Sequence, residues 1–328
     1  MNTFGRLFRV MIYGESHQKA IGVIIDGIKP GIKFNESVLL EDLERRKPGA
    51  IGTTKRVESD QPNITSGVYQ GYTTGSPIHI TFENTKTQSK DYSNLISFPR
   101  PGHADFVAIK KYKGFSDPRG GGPFSGRMTT GLVAAGSFAK MFTGFNVDAK
   151  LIQAGELTDM SKLDDYIQDA SNKGESVAGI IEVTVKDLPI GLGEPFFESL
   201  ESKMAQMMFS IPAIKAIEFG VGFKGVSLFG SQYNDCLIDE TGKTKTNHNG
   251  GVNGGITNGN PLVFRVLVKP ASSVYVKQET YHFIENKILP QQIEGRHDAF
   301  IARRAVIVVE NACHIVLADL LLQSKSRD

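Results

Sequence analysis

Residues 127–142, RMTTGLVAAGSFAKMF, limit the fold of this chain more than any other segment. They are rich in small residues and apolar on most sides. A helix of that kind has to be covered on several faces, and its small side chains let neighbours come close. A second segment, RRAVIVVENACHIVLADLLLQ at 303–323, predicts a long amphipathic helix. Its apolar run is broken by Glu310, Asn311, His314 and Asp319. No segment reaches about 18 uninterrupted apolar residues, so no membrane span is expected. Short strands are predicted at 7–12, 21–25, 77–82, 147–154, 177–186, 216–231 and 261–269. Helices are predicted at 37–47, at 103–112, in SKLDDYIQDASNKG, and at 195–209 with Pro195 in the first turn. These elements show no strict βαβ rhythm, which predicts an α+β fold in layers and not a doubly wound sheet. No fixed-period repeat or linker-like tract divides the chain, so residues 1–328 are expected to form a single domain.

Charge excludes some functions. Lys and Arg number 37 against 35 Asp and Glu, a net +2. That balance argues against a protein whose task is to coat nucleic acid or an anionic membrane. The 35 glycines, about 11% against a usual ~7%, point to local backbone needs inside a folded protein. Cys236 and Cys313 are far apart and form no CxxC, which excludes a disulfide framework and a cysteine-rich zinc module. The two thiols and the lack of a signal-like apolar run in MNTFGRLFRVMIYGESH predict a cytoplasmic location.

Several motifs fail on context. GVGFKG at 220–225 matches G-x-G-x-x-G, but VSLFGSQY after it is expected to be strand, where a dinucleotide fingerprint needs a helix. TGKT at 241–244 lacks the upstream glycine of a P-loop, since Leu237 holds that place. GESHQ at 14–18 misses the nucleophile elbow by one residue, and the seven histidines show no metal-ligand spacing.

Three constellations remain. YGESHQKAIG at 13–22 puts Glu15, Ser16 and His17 at a strand end, where sites are commonly built; a capped turn with a surface histidine is the plainer alternative. FPRPGHADF at 98–106 stiffens the chain with Pro99 and Pro101 just before His103, whose imidazole suits acid–base work; a helix-capping histidine is equally open. EGRHDAFIARRA at 294–305 offers Arg296 as an anion fork beside His297 and Asp298, or else a salt-bridged helix start. Arg45, Arg46, Lys47, Arg56, Arg100, Arg119, Arg127, Lys269, Arg303 and Arg304 surround these segments and suggest a small polyanionic ligand. The glycine-rich loops at 120–126 and 250–259 are able to cradle a phosphate, or simply to make tight turns.

Eleven stretches in order, among them FGRLFRVMIYGESH, LERRKPG, FPRPGHADF, RGGGPFSGR, SIPAIKAIEFGVGF, NHNGGVNGGITNGNPLVFRVLVKPASS and GRHDAFIARRAVIVVENA, resemble the chorismate synthase family nearly end to end. The resemblance implies a β-α-β sandwich with helices packed between antiparallel sheets, and a homotetramer. It implies loss of phosphate and a proton from 5-enolpyruvylshikimate 3-phosphate to give chorismate, an anti-1,4-elimination that requires reduced FMN. NADPH enters only if the protein reduces its own flavin. The substrate carries one phosphate and two carboxylates, which fits the arginine excess.

By the same resemblance, His103 donates a proton to the departing phosphate and His17 protonates or stabilises the reduced flavin. Asp298, with Ser16 and Ser125, helps the nitrogen-5 region of the flavin accept the substrate proton. Arg46, Arg56, Arg127 and Arg296 hold substrate anions. Ser125, Ala213, Gly254, Lys269, Ser272, Ser273 and Arg296 line the flavin. The chain departs from the common family pattern at Gln18, Pro123, Phe124 and Met128, and is trimmed between about 155 and 175. The alternative these departures raise is a non-catalytic relative that binds flavin or an anion; joint retention of His17, His103, Arg296 and Asp298 argues against it.

Overall fold

A computed structural model describes residues 2–54, 59–85, 95–293 and 297–326. Strands β1 (Thr3–Phe4), β2 (Arg9–Gly14), β3 (Ala20–Asp26), β4 (Asn63–Ser66) and β7 (Ile78–Glu83) form one antiparallel sheet in the order β1-β2-β3-β7-β4. A small hairpin, β5 (Val68–Tyr69) and β6 (Tyr72–Thr73), sits between its last two strands in sequence. The second sheet joins β8 (Val147–Ala154), β9 (Gly179–Val185), β10 (Ile214–Phe219) and β13 (Leu262–Val268) in the antiparallel order β10-β13-β9-β8. Hairpins β11 (Val252–Asn253)–β12 (Ile256–Thr257) and β14 (Gln278–His282)–β15 (Lys287–Gln291) complete the strands. In β9 and β13 every second residue is buried, the period of a sheet with one face on a core.

The helices are α1 (Glu36–Arg46), α2 (Asp105–Lys111), α3 (Thr129–Thr143), α4 (Leu163–Asn172), α5 (Leu200–Ser210), the short α6 (Gly230–Tyr233) and α7 (Ala302–Lys325). The fold is α+β, with helices between the two sheets. α3 packs on β3, α7 packs on β8 and β9, and the two helices pack on each other. Thr129 to Ala139 are all buried, as their small and apolar side chains require. α7 is long and apolar enough to cross a membrane, but 83% of its most apolar window lies inside the molecule, so it is a core helix here. Its Asp319 accepts the backbone N–H groups of Arg6, Leu7 and Phe8 at 2.7–3.0 Å. That buried carboxylate fixes the entry to β2, whose far end carries Ser16 and His17.

The α3–α7 approach is close at Gly136, where a Cβ would overlap Asn311 Cβ and its carbonyl oxygen. Gly136→Ala is expected to destabilise the fold by about 1–3 kcal/mol through overpacking. A thermal melt unchanged from wild type would show that the helices have room to separate.

Two predicted elements differ. The helix expected from Pro195 begins at Leu200, because Phe196 takes a φ of +63° and Ser199 caps the helix by accepting from Ser202 N at 3.1 Å. The strand expected over 216–231 stops at Phe219. Gly220 turns to φ +54° against the carbonyl of His248, and residues 222–227 form a 3₁₀ turn before α6. The dinucleotide fingerprint at 220–225 is therefore absent for another reason than the one anticipated. A turn follows the glycines, and the only helix nearby is four residues long.

Candidate active site

β2 ends at Gly14 and releases Ser16 and His17 into a turn held by Ser16 N donating to Gly122 O at 3.2 Å. Both side chains are buried. Opposite them runs the Gly120–Gly122 turn, with φ of +59°, +80° and +51°. Three consecutive left-handed residues are practical only as glycine. The turn threads between the two histidines. A Cβ on Gly120 would overlap the His17 ring, and one on Gly121 would stand 3.3 Å from His103 Cε1 and 3.5 Å from its Nε2. Ser125 then caps the following turn, accepting from Arg127 N at 3.3 Å.

His103 is oriented from behind. Its Nδ1 lies 2.6 Å from Asp105 Oδ1 in the first turn of α2. Arg100 clamps the same carboxylate, donating through Nε to Oδ2 and through Nη2 to Oδ1, both at 2.8 Å. Arg100 Nη2 also reaches the ring, 3.2 Å from Nε2. Asp105 only accepts and Arg100 only donates. The Nδ1–H is therefore committed to Asp105, and Nε2 is left as the acceptor that Arg100 Nη2 reaches, on the ring edge beside the Gly121 turn. Burial would raise the Asp105 pKa, but the hydrogen bonds from Arg100 and His103 outweigh it and hold the carboxyl well below the usual range. A depressed folded-state pKa adds stability that is present above about pH 4 and is lost as pH falls through the lower folded value. The stability gap between wild type and Asp105→Asn should therefore narrow as the pH is lowered. Urea unfolding at pH 7 and near pH 3 tests this, and an equal gap at both would rule it out.

A second charged group closes one side. Asp60 bridges Arg46 at the end of α1 and Arg127, one carboxylate oxygen to each guanidinium. All three side chains are buried. Arg127 is further fixed by its Nε donating to Asn84 Oδ1 at 3.1 Å. Burial lowers the Arg46 pKa to about 10 against the pull of Asp60. Asp298 accepts from Thr54 N at 2.6 Å and from Arg304 Nη1 at 3.0 Å. On the remaining side, Lys269 Nζ donates to Gly102 O at 2.7 Å and Ser272 Oγ at 2.9 Å. Burial, with Lys215 nearby, lowers the Lys269 pKa.

His17, His103, Asp60, Lys269 and Asp298 face a cavity of about 740 Å³. Of the residues singled out from sequence, Ser16, His17, Arg46, His103, Ser125, Arg127, Ala213, Lys269, Ser272, Ser273 and Asp298 all line it. Gly254 is not among the lining residues; it sits at the β11–β12 turn. Arg56 and Arg296 lie outside the described residues. The broader basic set divides. Arg46, Arg100, Arg127, Lys269 and Arg304 line the cavity. Arg45 pairs instead with Glu310, Lys47 with Glu44, Arg119 with Asp117 and Arg303 with Asp164. Asp60 and Asp105 had not been singled out. Asp105 sits within the quoted HADF, two residues after His103, and that spacing was the available signal.

The sequence departures fall in different places. Gln18 turns outward and donates to Asp117 at 2.9 Å. Met128 is buried in the apolar core. Pro123 and Phe124 do line the cavity.

The sequence model of the chorismate synthase family matches residues 8–322. A Chitinophaga pinensis protein named chorismate synthase is 53% identical over 322 residues, covering 98% of this chain and 97% of its own length. The Pyrococcus abyssi protein of the same name is 43% identical, covering 97% of each chain. A crystal structure of chorismate synthase superposes with a TM-score of 0.73 at 26% identity, over 98% of this chain and 93% of that one.

Proposed function

The chain is an enzyme of the chorismate synthase family, and we propose that it removes phosphate and a proton from 5-enolpyruvylshikimate 3-phosphate to give chorismate, with reduced FMN held in the cavity. The observation that carries this reading is the convergence of His17, His103, Arg46 and Arg127 from separate segments onto one cavity. The residues fit a flavin phosphate and ring. Lys269 is a partly desolvated cation with no carboxylate partner among the described residues, and Ser272 stands beside it. Ala213, Pro270 and Ala271 give an apolar wall, and about 740 Å³ is within the range of pockets that bury cofactor-sized ligands.

Reduced FMN, when bound, supplies the reversible electron donation that a redox-neutral elimination of this kind uses. The chain does the rest. Arg46 and Arg127 bind and orient substrate anions. His103 delivers a proton from Nε2 to the departing phosphate while Asp105 holds Nδ1. His17, buried in the cavity wall, would protonate or stabilise the reduced flavin. Asp298, Ser16 and Ser125 set polar groups where the substrate proton leaves.

The test is anaerobic incubation with chemically reduced FMN and 5-enolpyruvylshikimate 3-phosphate, following chorismate and phosphate together. Stoichiometric appearance of both is expected. Binding without product would favour the non-catalytic reading. A parallel arm with oxidised FMN and NADPH tests whether the protein reduces its own flavin.

Exposed apolar side chains support self-association as a tetramer. Phe197 is 89% exposed and Val226 94%, with Phe196, Phe223 and Phe229 similarly bare. Surface of this kind generally marks an interaction site. Light scattering should give four times the 35.8 kDa chain mass; a monomer at micromolar concentration would contradict it. Packing of α3 and α7 between both sheets supports one domain, and the unpaired Cys236 and Cys313 support a reducing, cytoplasmic setting.

A further inference from the structure

Asp60 combines three features that a bland structural residue does not need together. It is 3% exposed and yet lines the cavity. Its backbone takes a φ of +49°, a left-handed conformation that a non-glycine residue adopts at a cost. Its two carboxylate oxygens go to two different guanidiniums, brought from α1 and from the segment leading into α3. Strain retained at a cavity wall is an indication of function.

Two arginines facing the same space repel. Without an anion between them they would separate or turn toward solvent. Arg46 has little other anchorage among the described residues, where its buried Nε has no hydrogen-bond partner. One carboxylate oxygen per guanidinium sets their separation and leaves a net charge of +1 on the trio. We propose that Asp60 is the positioning residue of the substrate-binding end: it holds Arg46 and Arg127 at the spacing that receives a substrate anion, and so sets affinity and not the rate of the chemical step. This rests on the functional reading above. The chemistry lies at His103, whose supports are Asp105 and Arg100, a network that does not include Asp60.

Asp60→Gly is the sharpest variant, because glycine accepts the left-handed backbone and leaves a carboxylate-sized gap. Asp60→Asn keeps the volume and places an amide N–H against one guanidinium. With reduced FMN and 5-enolpyruvylshikimate 3-phosphate, both variants should raise KM about 10–100-fold while kcat stays within about 3-fold. Formate added to Asp60→Gly should restore much of the KM and do nothing for wild type. Calorimetric titration of the substrate into each protein gives affinity independently of turnover, and thermal melts give the folded fraction. A purely structural Asp60 would lower the melting temperature but leave the KM of the folded fraction unchanged, and that result overturns the inference. So does a fall in kcat at unchanged KM. Wild type that neither binds nor converts the substrate would overturn the functional reading and this inference with it.

Discussion

Replacing His103 with alanine is expected to lower turnover by about 10²–10⁴-fold, the usual worth of a positioned general acid and equal to about 3–5 kcal/mol of barrier. FMN should still bind, because Lys269, Ser272 and the Ala213 wall do not depend on the imidazole. The fold should persist too. Asp105 keeps its three contacts from Arg100, through Nε, Nη2 and the backbone N–H at 2.8–3.1 Å, and so is not left as a bare buried carboxylate. Asp105→Asn alone should also slow turnover, since an amide at that place donates to Nδ1 and favours the wrong tautomer. The double variant should be scarcely slower than His103→Ala by itself, because Asp105 acts through the ring. Flavin titration and turnover measured on the same preparations decide it. Near-normal turnover in His103→Ala would remove it from the acid role; fully additive losses would separate Asp105 from it.

The sequence carried these conclusions unevenly, for physical reasons. Segment 127–142 announced a buried helix because small and apolar side chains around a whole circumference leave no solvent face, and α3 is buried accordingly. The strand read over 216–231 was half wrong. Phe223, Val226 and Phe229 supply apolar signal, but they are surface residues. Hydrophobic pattern does not distinguish a side chain buried in its own core from one left on the outside. Hairpin β14–β15 went unread because QETYH is mostly polar and half exposed. The site was legible where a residue sits in a local motif, as His17 and His103 do. Asp60 had no such mark: its meaning lies in contacts 14 and 67 positions away, to Arg46 and Arg127. Gln18 shows the converse, a conspicuous departure whose side chain points away from the chemistry.

Gly120→Ala should be nearly as damaging as loss of a catalytic histidine, although it removes no functional group. Its φ of +59° already disfavours a side chain by roughly 1–2 kcal/mol. The larger effect is positional. The added methyl would overlap the His17 imidazole and approach Ser16 Oγ to 2.8 Å. Neither neighbour has much freedom, since both are buried and Ser16 N is tied to Gly122 O on the same turn. Something in the wall must shift by a good fraction of an ångström, carrying His17 or the turn that also faces His103. A misplacement of about 1 Å is enough to cost on the order of 10²-fold in rate. The variant should therefore lose about 10²-fold or more in turnover with only a modest fall in melting temperature. Gly230→Ala is the control, on α6 and not among the cavity walls, where among the described residues an added Cβ meets nothing within 4 Å and the backbone is not left-handed. It should behave as wild type. Equal activity in the two variants would mean that the glycine turn yields freely, and the registration of His17 against His103 would then have to come from the strand end at Gly14 and from α2 alone.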